Sequence, residues 1–429
     1  MNRTKKEFSI ENIDDFVQRA IIWSAQFREV VVLDSNNHHL PHHTFSKLLA
    51  FDALTSIQSD DIQQIQEYQS QLRDWCFGFI TYDVKNAIEN LTSLNPDYLH
   101  FPDMVFFQPK RLISINENDK VVFEYLTLCE DEIESDFNEI VAINISAKFA
   151  DQPIELTPRV TSEKYKKQFS KAIDYIKRGD TYELNYCIEF YNNDTELNPY
   201  VFYNQLNNKS KSSFAAFVKF GHLFALCASP ERYLKKNNDV VISQPIKGTA
   251  ARGKTYKEDE KQKSDLLNST KERAENIMIV DLVRNDLSKI ANKNSVEVKE
   301  LCGIYTFEHV HQLISTVSCK ISNDTQPMDV ISNTFPMGSM TGAPKKRTMK
   351  IIEEIEDHKR GLYSGTIGYF TPTQDFDFNV VIRTLLYNQK EKYASLSVGS
   401  AITFLAEAEK EYEECLLKSK AIRDLLLQK

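Results

Sequence analysis

Residues 366–398 read TIGYFTPTQDFDFNVVIRTLLYNQKEKYASLSV. Three apolar runs stand out: Thr366–Phe370, 379–385 and 393–398. Strand-like runs joined by short polar turns predict antiparallel pairing, because a parallel neighbour needs a long crossover. Helical patterns flank the block at 345–357 and 407–427. Helices beside mainly antiparallel strands give a mixed α/β (α+β) class.

Upstream, Ser162 and Glu163 followed by Tyr165, Phe169, Ile173 and Ile176 predict a helix closing at Gly179. Strand patterns follow at 184–190, 214–219 and 223–228, and a long helical pattern covers 254–291. Val30-Val31-Val32-Leu33 before Asp34-Ser35-Asn36-Asn37 reads as a buried strand ending in a turn. An acidic, then proline-containing stretch over 129–160 sets a boundary between regions 1–150 and 151–429. Nine of the 12 glycines lie between Gly248 and Gly399, so the second region is expected to carry the site.

The 429 residues are 41% hydrophobic and 26% charged, which fits a folded globular chain rather than a disordered one. Acidic groups outnumber basic ones, 61 to 52, for a net charge of −9. That balance opposes non-specific nucleic-acid binding, which needs clustered Lys and Arg. No apolar run reaches the length of a membrane span. The start, MNRTKKEFSIENIDDF, lacks the apolar centre of a secretory signal. Seven cysteines, none in a C-x-x-C pair, point to a reducing cytoplasm rather than a disulfide framework or zinc site. The run His38-His39-Leu40-Pro41-His42-His43 has no Cys or carboxylate at ligand spacing and reads as a surface loop.

Four constellations carry possible chemistry. Glu275 shares a helix face with Met278, Ile279 and Leu282, so its carboxylate must be paired, hydrogen-bonded or metal-bound. Arg273 or Arg284 would serve as a buried ion-pair partner. Glu407, Glu411, Glu414 and Lys418 share one face of the last helix. That pattern suits a solvated Glu–Lys series, or a carboxylate set that meets Glu275 around a hard divalent cation such as Mg²⁺. Gly338 to Lys345 (GSMTGAPK) fails the phosphate-loop motif and leaves a glycine-rich helix entry, suited to an anion or to tight packing. Lys247, between Pro245-Ile246 and Gly248-Thr249, is either a turn lysine or a constrained one that becomes a nucleophile when desolvated.

Taken together, these segments resemble the chorismate-utilising enzymes, and within them the aminodeoxychorismate synthase branch. The resemblance rests on SPERY at 229–233, PIKGT at 245–249, RAENIMIVDLVRNDL at 273–287 and GSMTGAPK at 338–345. It continues with YSGTIGYF at 363–370, IRT at 382–384 and EYEE at 411–414, and more loosely with GFITYDVKN at 78–86 and beyond. It implies a large sandwich of two stacked, mainly antiparallel sheets flanked by helices, like that of anthranilate synthase. It also implies chorismate as substrate and Mg²⁺ as cofactor, with Glu275 and Glu414 as metal ligands and Glu411 beside them. Lys418 and backbone N–H groups near Gly399 and Ala401 would meet the ring carboxylate, and Arg383 and Tyr369 the enolpyruvyl carboxylate. Lys247 would attack the ring, Glu231 would protonate the departing hydroxyl, and Thr249 accompanies Lys247 as a catalytic candidate. Nothing in the chain resembles a glutamine amidotransferase, so ammonia is expected from a partner subunit of that kind.

Three positions depart from the family pattern. The family histidine falls at Gln312 here, and His311 stands one residue early, which on a strand changes the face. His311 is nevertheless kept as a catalytic candidate. Glu183 stands where ammonia-using relatives carry Gln and water-using relatives carry Lys. The family Gly-Ala-Gly turn is Gly399-Ser400-Ala401, which preserves a backbone N–H.

Overall fold

In a computed structural model, residues 2–38, 41–116, 120–145 and 148–428 are described; His39 and Leu40 of the histidine run lie outside them. The first part comprises β1 (Arg3–Phe8), α1 (Ile13–Trp23), β2 (Glu29–Asp34), β3 (Lys47–Ser59), α2 (Ile62–Leu72), β4 (Cys76–Ile80), α3 (Lys85–Glu89), β5 (Met104–Ile115), β6 (Val121–Leu126) and α4 (Ile133–Ala142). Next come β7 (Thr157–Pro158), α5 (Ser162–Lys177), β8 (Glu183–Asn192), α6 (Pro199–Ser210), β9 (Phe214–Phe220), β10 (Leu223–Ser229), β11 (Arg232–Asn237), β12 (Val240–Gln244), β13 (Ile246–Ala251), α7 (Tyr256–Asn268) and α8 (Thr270–Ser288). The last part holds β14 (Glu297–Thr306), β15 (Val310–Lys320), α9 (Pro327–Thr334), β16 (Gly342–Ala343), α10 (Lys345–Ile355), β17 (Thr366–Phe370), β18 (Phe376–Asn379), β19 (Thr384–Asn388), β20 (Tyr393–Thr403) and α11 (Ala408–Leu426).

Two strand runs grow from β5. One passes through β3, β2, β9, β10, β19 and β20 to β8. The other passes through β4, β17, β18, β11 and β12 to β15, which also carries β13 and β14. Every one of these pairings is antiparallel, as the short turns predict. Alternation on β2 shows the layering. Val30 and Val32 face a core shared with α1, α5, α6 and α11, whereas Val31 faces a core shared with Phe79, Ile367 and Val317 of the second run. The arrangement is two stacked sheets with helices outside, the sandwich that the resemblance implies.

Local chemistry explains the element ends. Thr161 caps α5 through Lys164 N–H, and Gly179 with φ +79° stops the chain just beyond it. The expected helix over 254–291 is two helices, because Ser269 turns extended and caps α8 through Glu272 N–H. The expected strand at 379–385 is also broken, with β18 ending at Asn379 and β19 starting at Thr384. Arg383, in the gap, has φ +51°. All seven cysteines are free and buried. Among the described residues no helix is long and apolar enough to cross a membrane.

Candidate functional site

β13 carries Lys247 toward the start of β8 and the first turns of α8. Its Nζ lies 3.4 Å from Glu183 Oε1 and 3.8 Å from Glu275 Oε2. Burial opposes the ammonium charge, but Glu183, Glu275 and Glu414 outweigh it and raise the lysine pKa above its ordinary value. Glu183 itself is 3% exposed, and its second oxygen, Oε2, has no hydrogen-bond partner among the described residues.

Glu231 follows β10 and is buried. Burial pushes its carboxyl up from 4.5 to about 7, against a hydrogen bond from Ser339, the Ile246 N–H, and the charges of Lys247 and Arg383. Ser339 Oγ donates to Glu231 Oε1 at 2.8 Å. Ser339 belongs to the glycine-rich segment at 338–345, which works here by close packing. A Cβ on Gly338 would meet Leu282 Cδ2 at 2.7 Å, and one on Gly342 would meet the Glu183 carbonyl at 2.0 Å. The segment's Lys345 is spent on Asp286 and the Thr334 carbonyl.

Arg383 sits in the gap between β18 and β19 with left-handed backbone, a costly conformation for a long side chain. Burial lowers its pKa, and Glu231 pushes back. No salt bridge or side-chain hydrogen bond holds its guanidinium among the described residues. A half-buried cation with strained backbone and no carboxylate partner is suited to receive an anion.

The three glutamates of the metal hypothesis, Glu275, Glu411 and Glu414, converge with lysines between them, whereas Glu407 pairs with Lys410 in solvent. Lys271 Nζ is 3.8 Å from Glu275 Oε1 and 3.7 Å from Glu411 Oε1. Glu414 Oε1 pairs with Lys418 at 2.6 Å. Burial and the neighbouring Glu414 raise Glu411. Burial would raise Glu414 too, but Lys418, Lys247 and Lys271 hold it below the ordinary range. As placed, no three His, Cys, Asp or Glu side chains among the described residues sit together as a ready metal cluster. The donors are nonetheless all carboxylate oxygens whose charges repel and require a cation, and the two lysines meet that requirement here. Such a set fits a hard divalent ion.

Lys418 Nζ also donates to the Gly399 carbonyl at 2.9 Å. Gly399 and Ala401 oppose Cys187 and Asn185 across the β20–β8 ladder. The Cys187 N–H goes instead to Glu356 Oε1, and the Asn185 N–H to the Thr341 carbonyl. Both pairs are therefore of the non-hydrogen-bonded kind, so the N–H groups of Gly399 and Ala401 point away from β8. The expected backbone donors are free of the ladder on that side. A Cβ at 399 would lie 2.7 Å from Cys187 Sγ, which explains the glycine.

Three expected residues do not join this group. His311 faces the helical side, with Nε2 3.0 Å from Asp259 Oδ1 on α7 and Nδ1 2.9 Å from Thr306 Oγ1. Arg252 holds the Asp259 carboxyl well below its usual range. This is a clamp between α7, β14 and β15, and the one-residue shift on β15 accounts for it. Gln312, on the opposite face, is 1% exposed with an unpartnered Oε1. Tyr369 packs edge-on and tilted among Phe45, Trp75 and Phe77 and lines a separate cavity of about 60 Å³ with Ser35, His43 and Asp377. Lys247, Glu231 and Glu275 line no part of that cavity. The other tyrosine of the YSGTIGYF stretch, Tyr363, lies instead with its hydroxyl 3.9 Å from Cys187 Sγ, opposite Gly399. Thr249 is exposed, across the ladder from Gln312.

Sequence reasoning passed over Ser339, Tyr363 and Asn276. All three stand in quoted motifs, and Asn276 is the immediate neighbour of Glu275.

A family model described as chorismate binding enzyme matches residues 11–424. The chain is 34% identical over 398 residues to "Aminodeoxychorismate synthase, chloroplastic" of Arabidopsis thaliana, covering 87% of this chain and 42% of that protein. The chain thus spans less than half of that plant relative. It is 32% identical over 366 residues to "Aminodeoxychorismate synthase component 1" of Bacillus subtilis (strain 168), covering 81% of this chain and 76% of that one. Among solved structures, anthranilate synthase component I from Streptococcus pneumoniae TIGR4 superposes with a TM-score of 0.77 at 28% identity, covering 90% of this chain and 93% of that one.

Proposed function

Since the chain belongs to the chorismate binding enzyme family, we propose that it is an aminodeoxychorismate synthase. It converts chorismate and ammonia to 4-amino-4-deoxychorismate, for 4-aminobenzoate and folate synthesis in the cytoplasm. Ammonia comes from a glutamine amidotransferase partner. The observation that carries the reading is Glu231, a carboxyl held at about 7 within the field of both Lys247 and Arg383. Its pKa suits an acid that donates a proton near neutral pH.

In the proposed reaction, Arg383 receives the enolpyruvyl carboxylate. The N–H groups of Gly399 and Ala401, with Lys418, receive the ring carboxylate. Glu275, Glu411 and Glu414 would hold Mg²⁺, which would supply positive charge to offset the buried carboxylates. Lys247 rests as an ammonium ion, passes one proton to the Glu183 carboxylate 3.4 Å away before attack, and takes that proton back when it is released. Its Nζ forms a bond to C2, the ring double bonds shift, and the C4–O bond breaks. The hydroxyl leaves as water with the Glu231 proton. Ammonia then bonds to C4, the double bonds shift back, and the C2–N bond breaks with its electron pair returning to Lys247. The new C4 ammonium group returns one proton to Glu231.

The names of the relatives support amination, and Lys247 supports attack through an enzyme-bound adduct. The test is to identify the product formed from chorismate, Mg²⁺ and ammonium by chromatography and mass spectrometry. Aminodeoxychorismate that retains its enolpyruvyl group is expected. Anthranilate with free pyruvate, or isochorismate, would overturn the proposal.

A further inference from the structure

β13 and β15 fall out of register beside Lys247. Ile246 opposes Ile314 and Thr249 opposes Gln312, so Lys247 and Gly248 together face the single residue Leu313. This is a β-bulge, which bends a strand and re-aims a side chain. Gly248 supports it with φ +100°, and a Cβ there would meet Glu272 Oε2 and Leu313 Cδ1 at 3.2 Å. A bulge also interrupts the ladder, and the carbonyls of Lys247 and Leu313 need other donors.

Asn276, 1% exposed on α8, supplies both. Its Nδ2 donates to the Lys247 carbonyl at 3.2 Å and to the Leu313 carbonyl at 3.3 Å. Its Oδ1 accepts from Ser315 Oγ at 2.5 Å, and Ser315 Oγ in turn accepts the Cys302 N–H at 2.8 Å. Both amide hydrogens and the amide oxygen are thereby engaged. The residue before Asn276 is Glu275, whose carboxylate meets the Lys247 ammonium. One turn of α8 therefore holds the lysine by its backbone and by its charged end.

We infer that Asn276 is a positioning residue that sets the aim of Lys247, by bolting α8 to the bulge from which that lysine projects. The inference rests on the reading of Lys247 as nucleophile. Without the amide, two buried carbonyls lose their donor and the bulge relaxes toward a regular ladder or toward solvent. A shift of about 1 Å at a reacting atom lowers a rate by roughly 10²-fold.

Asn276→Ala and the milder Ser315→Ala, which frees the amide oxygen and the Cys302 N–H but keeps both donors to the bulge carbonyls, are compared with wild type on the full chain. Ser315→Ala keeps the test informative should Asn276→Ala not fold. The readouts are kcat with ammonium, the Kd for chorismate with Mg²⁺, and the labelling rate of Lys247 by trinitrobenzenesulfonate, quantified by peptide mass spectrometry. Expected for Asn276→Ala is a kcat lowered about 100-fold, with Kd changed less than about threefold. Lys247 labelling should change about fivefold or more while labelling of Lys254, an exposed lysine just beyond β13, stays constant, and Ser315→Ala should show the same pattern in weaker form. In a Lys247→Ala background, Asn276→Ala should lower the residual rate no further, because a positioning residue acts only through the group it positions. Unchanged Lys247 labelling would overturn the inference, as would an equal fall of rate in both backgrounds. Failure of wild type to consume chorismate would overturn the functional reading instead, and the labelling comparison would still decide the role of Asn276.

Discussion

Glu231→Gln isolates the acid on which the proposed reaction depends. In the wild type, burial moves this carboxyl from 4.5 to about 7. The group is useful as an acid only while protonated. Protonation falls from about nine-tenths at pH 6 to about one-tenth at pH 8, so turnover at saturating chorismate should fall roughly tenfold across that range. Glutamine keeps the shape but has no proton to give, so Glu231→Gln should lose about 10²–10⁴-fold of kcat and its profile should lose that alkaline limb. Ser339→Ala refines the test. The Ser339 hydroxyl donates to Glu231 Oε1 and so favours the ionised form. Its removal should shift the limb to higher pH. Initial rates across pH, with ammonia concentration corrected for its own ionisation, read all three proteins. Persistence of the limb in Glu231→Gln would assign it to another group and refute the reasoning.

The same shift sets a stability prediction. A carboxyl whose folded pKa is raised binds its proton more tightly in the native state. Its contribution is therefore full below about 4.5 and is lost as pH rises to about 7. The rise of pKa corresponds to roughly 3 kcal/mol at most. Glu231→Gln removes the buried charge, so it should melt above wild type at pH 8 and close to it at pH 5. Equal melting shifts at both pH values would contradict a raised pKa.

The remaining predictions address the other groups. Arg383→Lys should raise KM for chorismate about tenfold or more, because an ammonium cannot reproduce a planar guanidinium fork; steady-state kinetics would show it, and an unchanged KM would remove Arg383 from the anion site. Glu275→Ala should move the Mg²⁺ dependence of chorismate binding to higher concentration by about tenfold, read by titration calorimetry, whereas an unaltered Mg²⁺ titration would deny Glu275 a ligand role. His311→Asn should leave the pH profile intact but lower stability by about 1–3 kcal/mol in denaturant, since it breaks the buried bridge between Asp259 and Thr306. A changed profile with unchanged stability would return His311 to the chemistry.

Most strands were legible because they obey a period of two or carry a continuous apolar run between turns. Val30–Val32 and Thr366–Phe370 are examples, and both lie where their pattern places them. The breaks were less legible. The pattern over 254–291 stays helical through Ser269, yet a serine able to cap Glu272 ends one helix and starts the next. At 380–383 the run Val-Val-Ile-Arg reads as strand, and only the backbone shows Arg383 turned left-handed. Periodicity reports which residues prefer burial, and it is silent about a conformation held by the surrounding fold.

The site shows the same division. Lys247, Glu231, Glu275, Glu411, Glu414, Arg383 and Lys418 stood in recognisable motifs, and the fold gathers them into one group. Tyr369 misled because its motif, YSGTIGYF, contains two tyrosines. Between them Ser364 takes φ +63°, so the second tyrosine enters β17 while the first remains in the preceding turn. The strand then commits Tyr369 to the aromatic cluster of Trp75 and Phe77, and the turn leaves Tyr363 beside β8. Lys247 presents the converse case. Its identity was plain, but its aim depends on a bulge that places two residues opposite one, and no spacing rule reveals such a bulge. Gly248 was the available signal, because a residue with φ +100° directly after a functional side chain implies a backbone bent at that point. Following that bend to the groups that satisfy its open carbonyls leads to Asn276, next to the carboxylate that faces the lysine. The shape of the strand that carries Lys247, and one of the carboxylates that face its ammonium, are thus governed from one turn of α8. For that reason a neutral amide, with no chemistry of its own, is expected to matter to the rate almost as much as the acid.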